Sequence, residues 1–331
     1  MKNNKIKFIK QSILFICILS VFIFGLNFIW LESIQKSKNI FRGEEIYINY
    51  IKTLGDKKID LAFFGDSHTQ DAVNPDYIKN SFNFGFPSEN FVEIYYKLKR
   101  IIEEDDILIK SIVLEIDWHI FSDKRAQEHG LFKEIPFYLR FVSLFDMAEL
   151  KQKSLFNIFI QGYFPFLGNG EKMVRYFLQD RSNLTPIYLG WAEKIGDFSL
   201  YKNKKKVALE RVNYFFDDGI AKINEQVFDY FLKSIQLAKE NGINVVVIKY
   251  PLSKEYDDAI SNIGIKDIEK DYYSKIFNGI ESKLGKDYSL LDYYDVFFDH
   301  SEYFSNSDHL NKIGASKLSN MISEALVLLD L

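Results

Sequence analysis

Cysteine is almost absent from this 331-residue chain. Its single cysteine, Cys17, lies inside an apolar run near the amino terminus, which excludes an internal disulfide, a cysteine nucleophile in the rest of the chain and a cysteine metal site. Proline is scarce at six residues and no low-complexity tract occurs, so nothing in the composition supports a disordered stalk or a wall-spanning linker. Excess positive charge is lacking as well. The net charge is −4, and leaving out Lys2, Lys5, Lys7 and Lys10 lowers it by four to −8. A nucleic-acid partner calls for a basic face and is not expected here. Internal repeats are missing too.

One long hydrophobic run is present, at 12–31. The four lysines precede it and Glu32 follows it. At about 1.5 Å per residue its apolar stretch is long enough to cross a hydrocarbon core of roughly 30 Å. No small-residue cleavage site follows, which points to a retained anchor rather than a removed signal peptide. Trp30 suits the far interface. The lysine bias places the amino terminus (1–11) in the cytoplasm and everything after the span outside it. A polar juxtamembrane segment, 32–58, then leads to a domain at 59–331.

In that domain, apolar runs at 59–64, 81–86, 111–117, 243–250 and 288–291 read as strands. The run Val245-Val246-Val247-Ile248 is of the β-branched kind that parallel sheets bury on both faces. Helical patterns lie between them, at 89–103 with Ser88 as N-cap, at 221–241 with Gly242 as stop, and at 311–329. Strands alternating with helices predict an α/β fold with a doubly wound, mostly parallel five-stranded sheet. The exception is 119–219, too long for one crossover. It is rich in aromatic residues and is expected to be a helical insertion that caps or flanks the site. Within it, the segment 162–168 reads as an apolar loop suited to lipid, a partner protein or an acyl chain, or simply as insertion core.

The first strand ends in Phe64-Gly65-Asp66-Ser67-His68, which puts Ser67 beyond the carboxyl end of a strand, where open parallel sheets gather reactive groups. A serine hydroxyl is nearly all protonated at neutral pH, so it attacks an ester only if a base takes its proton as the bond forms. His309, just ahead of the last helix, is the expected base, with Ser67 as nucleophile. Asp66 is expected to fix the turn through local hydrogen bonds. Glu115 and Asp117 share a strand face, and surface exposure is expected for both. His68, His119, His129 and His300 show no metal-ligand spacing, so no metal site is expected. The basic run 202–206 reads as a solvated face.

The Gly65-Asp66-Ser67 block, the glycine of Asn83-Phe84-Gly85 and the acid beside His309 resemble the three blocks of the SGNH, or GDSL, hydrolases over about 60–331. Within that superfamily the chain looks most like the membrane-anchored branch that modifies cell-envelope polymers, such as the alginate acetylation and teichoic acid alanylation proteins. The resemblance implies a flavodoxin-like sheet, no cofactor, and an oxyanion hole built from the backbone N–H groups of Ser67 and Gly85, helped by the Asn83 amide. It also implies an acylesterase or O-acyltransferase, an envelope glycan or teichoic-acid-like polymer as acceptor, and a membrane-bound O-acyltransferase as partner. Two departures stand out. Asn306, not an acid, stands three residues before His309, which leaves Asp308 or Asn306 to orient the imidazole, with Asp308 preferred. The third block's asparagine is missing after Ser111–Asp117, where an ionised Asp117 cannot donate. A catalytically degenerate subunit is the alternative these departures suggest.

Overall fold

The computed structural model describes residues 2–37, 58–103, 107–129, 131–132, 135–164, 187–215, 222–263, 266–286 and 288–329. The chain forms two compact units, Met1–Arg42 with Glu134–Leu184, and Gly43–Lys133 with Thr185–Leu331. The insertion expected at 119–219 is therefore shared between them. Most of the juxtamembrane segment, 38–57, and residues 165–168 of the apolar loop lie outside the described residues.

The larger unit is built on β1 (Lys58–Phe64), β2 (Ser81–Asn83), β3 (Leu108–Glu115), β4 (Asn244–Lys249) and β5 (Ser289–Asp292). All pairings within this five-stranded sheet are parallel and the order is β2-β1-β3-β4-β5, so the expected doubly wound α/β sheet is met. The strand order reverses at β1, which puts the crevice beyond the carboxyl ends of β1 and β3. Alternate strand residues separate two packed faces, as the period of two requires. Leu61, Phe63, Val113, Val246, Ile248 and Leu291 form one core with Leu318, Ile322 and Leu326 of the last helix.

The helices in chain order are α1 (Lys2–Ser37), α2 (Ser67–Ala72), α3 (Phe91–Glu103), α4 (Asp123–His129), α5 (Ile135–Tyr138), α6 (Leu144–Leu150), α7 (Leu155–Tyr163), α8 (Lys204–Phe215), α9 (Glu225–Glu240), α10 (Lys254–Asn262), α11 (Lys266–Leu284) and α12 (Lys312–Leu328). Ser88 does not cap α3; it takes a left-handed φ of 67°. The cap is Asn90, whose Oδ1 accepts from Val92 N while Glu93 Oε2 accepts from Asn90 N, a reciprocal capping box. Gly242 closes α9 at φ 68°, the left-handed stop that glycine takes without strain. Asn311 caps α12 by accepting from Ile313 N and Gly314 N, and so fixes where the loop carrying His309 ends.

In the smaller unit, α1 contains one stretch, Lys5–Phe28, long and apolar enough to be a membrane span or a signal sequence.

Candidate active site

β1 delivers its last residues into the crevice, and the chain turns at Gly65. A Cβ at Gly65 would collide with Thr69 Oγ1 and Glu115 Oε2, so only glycine lets the Glu115 carboxylate approach the backbone this closely. Glu115 Oε2 uses that approach to accept from Asp66 N at 2.9 Å and from Thr69 Oγ1 at 2.7 Å. Asp66 caps α2 through His68 N at 2.8 Å, which sets Ser67 as the first helical residue.

Ser67 Oγ lies 2.9 Å from His309 Nε2, across 242 residues of sequence. On the other side of the ring, His309 Nδ1 is 3.2 Å from Asn306 Oδ1 and also 3.2 Å from Asp308 Oδ1. The two contacts differ in kind. Nδ1 and Asn306 Oδ1 meet in hydrogen-bond geometry, whereas Asp308 Oδ1 is buried and off that direction, within ion-pair reach. Two oxygens at Nδ1 favour the proton there, which leaves Nε2 as acceptor for the Ser67 hydroxyl. Asn306 Oδ1 also accepts from His309 N and Asp308 N, so it holds the loop as well as the tautomer.

Asp308 Oδ2 accepts from Arg211 Nε of α8 at 2.6 Å and meets His68 Nε2 at 3.4 Å. Burial alone would raise the Asp308 carboxyl. The charge and hydrogen bond of His309, the His68 hydrogen bond and the Arg211 charge overcome that and hold it well below the usual carboxylate range. Asp308 is therefore held in its anionic form beside His309.

Behind this line lies a second polar tier. His68 Nδ1 faces Asp117 Oδ2 at 3.4 Å, and Asp117 Oδ1 accepts from Tyr250 N at 3.1 Å. His119 Nε2 meets Asp66 Oδ2 at 2.9 Å, and the Arg125 guanidinium of α4 pairs with the same oxygen. Burial would depress His68, but its hydrogen bonds to Asp117 and Asp308 and the charges of Asp66 and Asp308 lift it well above its ordinary value. Burial and the neighbouring His68 charge push His119 down to about 3. The rings are 4.1 Å apart, and one proton charge between them is what such closeness allows. Burial, together with the Asp66 and Asp117 charges, raises Glu115 far above the carboxylate range, so it is neutral. Asp66 is an anion despite burial, because Arg125 and His119 face it.

Asp66, His68, Glu115 and His119 bring metal-ligand atoms within 4.8 Å of one another. Arg125 already supplies positive charge at Asp66 Oδ2, and both His68 nitrogens point at Asp117 and Asp308. Those partners make the cluster a proton- and charge-sharing assembly, a poor cradle for a further cation.

The structure thus brings Ser67, His309 and Asp308 together, and it adds residues the sequence reading missed. Arg211, Arg125, His68 and His119 are in the assembly, and Glu115 and Asp117, expected at the surface, are buried. An acid inside an apolar strand, as Glu115 is, was the available signal. Asp71, four residues after Ser67 on α2, is also buried. Its Oδ2 lies 3.9 Å from His309 Nε2 and 3.5 Å from Lys194 Nζ, and burial pushes its carboxyl up to about 6 against the charges of His309 and Lys194.

The expected oxyanion donors behave unequally. Gly85 N donates to Asn83 Oδ1 at 2.9 Å, and Asn83 Nδ2 donates to Thr69 O and Val73 O at 2.8 Å each, so both groups are engaged in pinning α2 to the end of β2. Among the described residues no acceptor faces the Ser67 N–H.

No family model and no curated protein matches this chain. Among solved structures it is similar to one described as an acylhydrolase from Bacteroides fragilis, at 12% identity and TM-score 0.38, covering 85% of this chain and 94% of that one. It is also similar to a GDSL-like lipase from Bacteroides thetaiotaomicron, at 10% identity and TM-score 0.41, over 87% and 98%. A third, described as a platelet activating factor from Streptococcus pneumoniae, has 10% identity and TM-score 0.42, over 89% and 98%. These overlaps are loose, and the chemistry below rests on the distances within this chain.

Proposed function

We propose that this protein is a serine-dependent acyl-ester enzyme, an acylesterase or O-acyltransferase of the GDSL kind. The observation that carries this reading is the 2.9 Å contact between Ser67 Oγ and His309 Nε2, with an anionic Asp308 on the far side of the ring. Ser67 Oγ attacks the acyl carbonyl as His309 Nε2 takes its proton. Asp308 stabilises the imidazolium and Asn306 keeps the ring in register. The Ser67 N–H is a donor for the oxyanion. Collapse of the tetrahedral species passes the proton from His309 to the leaving oxygen and leaves acyl-Ser67. Water or a sugar hydroxyl then resolves it by the same route in reverse.

The apolar amino-terminal helix supports an anchored protein, with the lysine bias placing the catalytic unit outside the cytoplasm. In that setting the acceptor is an envelope glycan or teichoic-acid-like polymer, and a membrane-bound O-acyltransferase is the fitting acyl supplier. A catalytically degenerate subunit is favoured by one observation, the engagement of Gly85 N and the Asn83 amide with each other and with α2.

Labelling of membranes with a fluorophosphonate probe separates the two. The enzyme reading expects one phosphonyl group, mapped to Ser67 and absent from Ser67→Ala. An unlabelled wild-type protein that is folded by circular dichroism would point to the degenerate subunit.

A further inference from the structure

α7 carries an apolar face that stands exposed among the described residues. Its inward side is packed, with Ile158 buried and Gly162 so close to Leu139 that a Cβ there would collide with it. Its outward side shows Phe156, 71% exposed, along with Leu155, Phe159 and Tyr163, and Phe145 of α6 is exposed as well. Phe156, Phe159 and Tyr163 recur at helical spacing, so they form one stripe. No charged residue occurs between Lys153 and Glu171. A water-facing helix places polar side chains on such a stripe.

The contacts of α7 with α1 indicate what covers it. Asn27 Nδ2 donates to Tyr163 O at 2.9 Å, and the rings of Phe24 and Phe164 meet edge-on with centroids 5.6 Å apart. Phe24 lies four residues inside the end of the apolar stretch Lys5–Phe28, about 6 Å along the helix axis. If α1 spans a bilayer, a side chain touching Phe24 sits at hydrocarbon depth, and the carboxyl end of α7 sits there with it. Ser20, Ile23 and Leu26 are half-buried and Asn27 is buried on one stripe of α1, while the other apolar side chains of the span are exposed to whatever surrounds them.

We propose that α7 is an interfacial membrane helix, with Phe156, Phe159 and Tyr163 inserted among lipid acyl chains beside the carboxyl end of α1. Lys153, exposed just before the helix, lies at headgroup level with its charge in water. This rests on the reading of α1 as a membrane span and is independent of the chemistry at Ser67. It turns a single-helix tether into a two-point attachment, which limits how the smaller unit can rotate about the membrane normal.

The test uses the full-length protein with Cys17→Ser, reconstituted in phosphatidylcholine–phosphatidylglycerol vesicles and carrying one spin label at a time. Labels replace Phe156 and Phe159 (Phe156→Cys, Phe159→Cys). Phe22→Cys serves as the span reference and Leu200→Cys, at a site 77% exposed in the larger unit, as the water reference. The expected result at Phe156 and Phe159 is a ratio of oxygen to nickel-chelate accessibility several-fold above that at Leu200. A ratio equal to that at Leu200 would overturn the inference, and so would protection from both reagents, which would mean a protein contact. A lipid signature at Phe22 without one at Phe156 sinks the inference alone. Its absence at both positions sinks the span reading with it.

Discussion

The reaction line and the polar tier behind it use the same side chains, acids and histidines, with different numbers of partners. His309 has one oxygen at Nε2 within hydrogen-bond distance, that of Ser67, and its Nδ1 is shared between Asn306 and Asp308. Asp66, by contrast, meets His119, Arg125 and His68 N at once, and Glu115 accepts from both Asp66 N and Thr69 Oγ1. A lightly held base can pass a proton. The densely held Asp66 carboxylate cannot move without uncovering a buried charge, nor Glu115 without breaking two buried hydrogen bonds. The difference predicts that changes on the reaction line cost rate, and changes in the rear tier cost stability.

Asp308 belongs to both tiers, and its substitution has the largest expected effect. Asp308→Asn removes the anion facing His309, so kcat on a small ester falls by up to about 10⁴, as an equivalent change does in the serine protease triad. It also leaves Arg211 and His68 without their shared anion, so the melting temperature drops too. A variant that retains near wild-type kcat would assign the histidine's support to Asn306.

In the rear tier, Arg125→Ala strands the Asp66 carboxylate. The expected loss is about 3–5 kcal/mol of stability, the usual result of removing one partner of a buried pair. Urea titration measures it. A loss under about 1 kcal/mol, the range of exposed pairs, would show that the tier is hydrated and that the contrast drawn here is mistaken.

Asp71 sharpens the comparison through pH. A carboxyl raised from 3.8 to about 6 binds its proton more tightly in the folded than in the unfolded state. Stability therefore falls as pH rises from about 4 to 6, by roughly 3 kcal/mol in total, the charges of His309 and Lys194 being already included in that shift. Asp71→Asn is expected to stabilise the protein above pH 6 and to have little effect below pH 4. Thermal unfolding across that range checks it, and a stability difference that does not vary with pH would refute it.

The smallest effect is expected at Asn306. Asn306→Ala removes the hydrogen bond at Nδ1 and leaves the anion in place, which slows turnover on the order of 10-fold, the worth of about one hydrogen bond.

The legible parts of this molecule are those with a local signature. β-branched runs such as Val245-Val246-Val247-Ile248 announce the sheet, and a glycine–aspartate–serine turn at the end of the first strand announces Ser67. The rear tier has no such mark. Arg125 meets Asp66, and Arg211 meets Asp308, across long stretches of chain, and nothing near either arginine in sequence says which carboxylate it will face. Glu115 and Asp117 are buried although charge alone suggests the surface; the apolar neighbours Ile112, Val113 and Leu114 argue for the interior. Ser88, a capping residue type just ahead of the helical pattern, gives a cap two residues early, and the reciprocal bond between Asn90 and Glu93 that fixes the real cap exists only in the folded helix.

The central claim is that Ser67 is an activated nucleophile, and intact-protein mass spectrometry after exposure to p-nitrophenyl acetate tests it most directly. The account predicts a single acetyl adduct on the wild-type protein, mapped to Ser67, and none on Ser67→Ala, whose unfolding transition is unchanged. An equal adduct on both proteins, mapped to another residue, would contradict it.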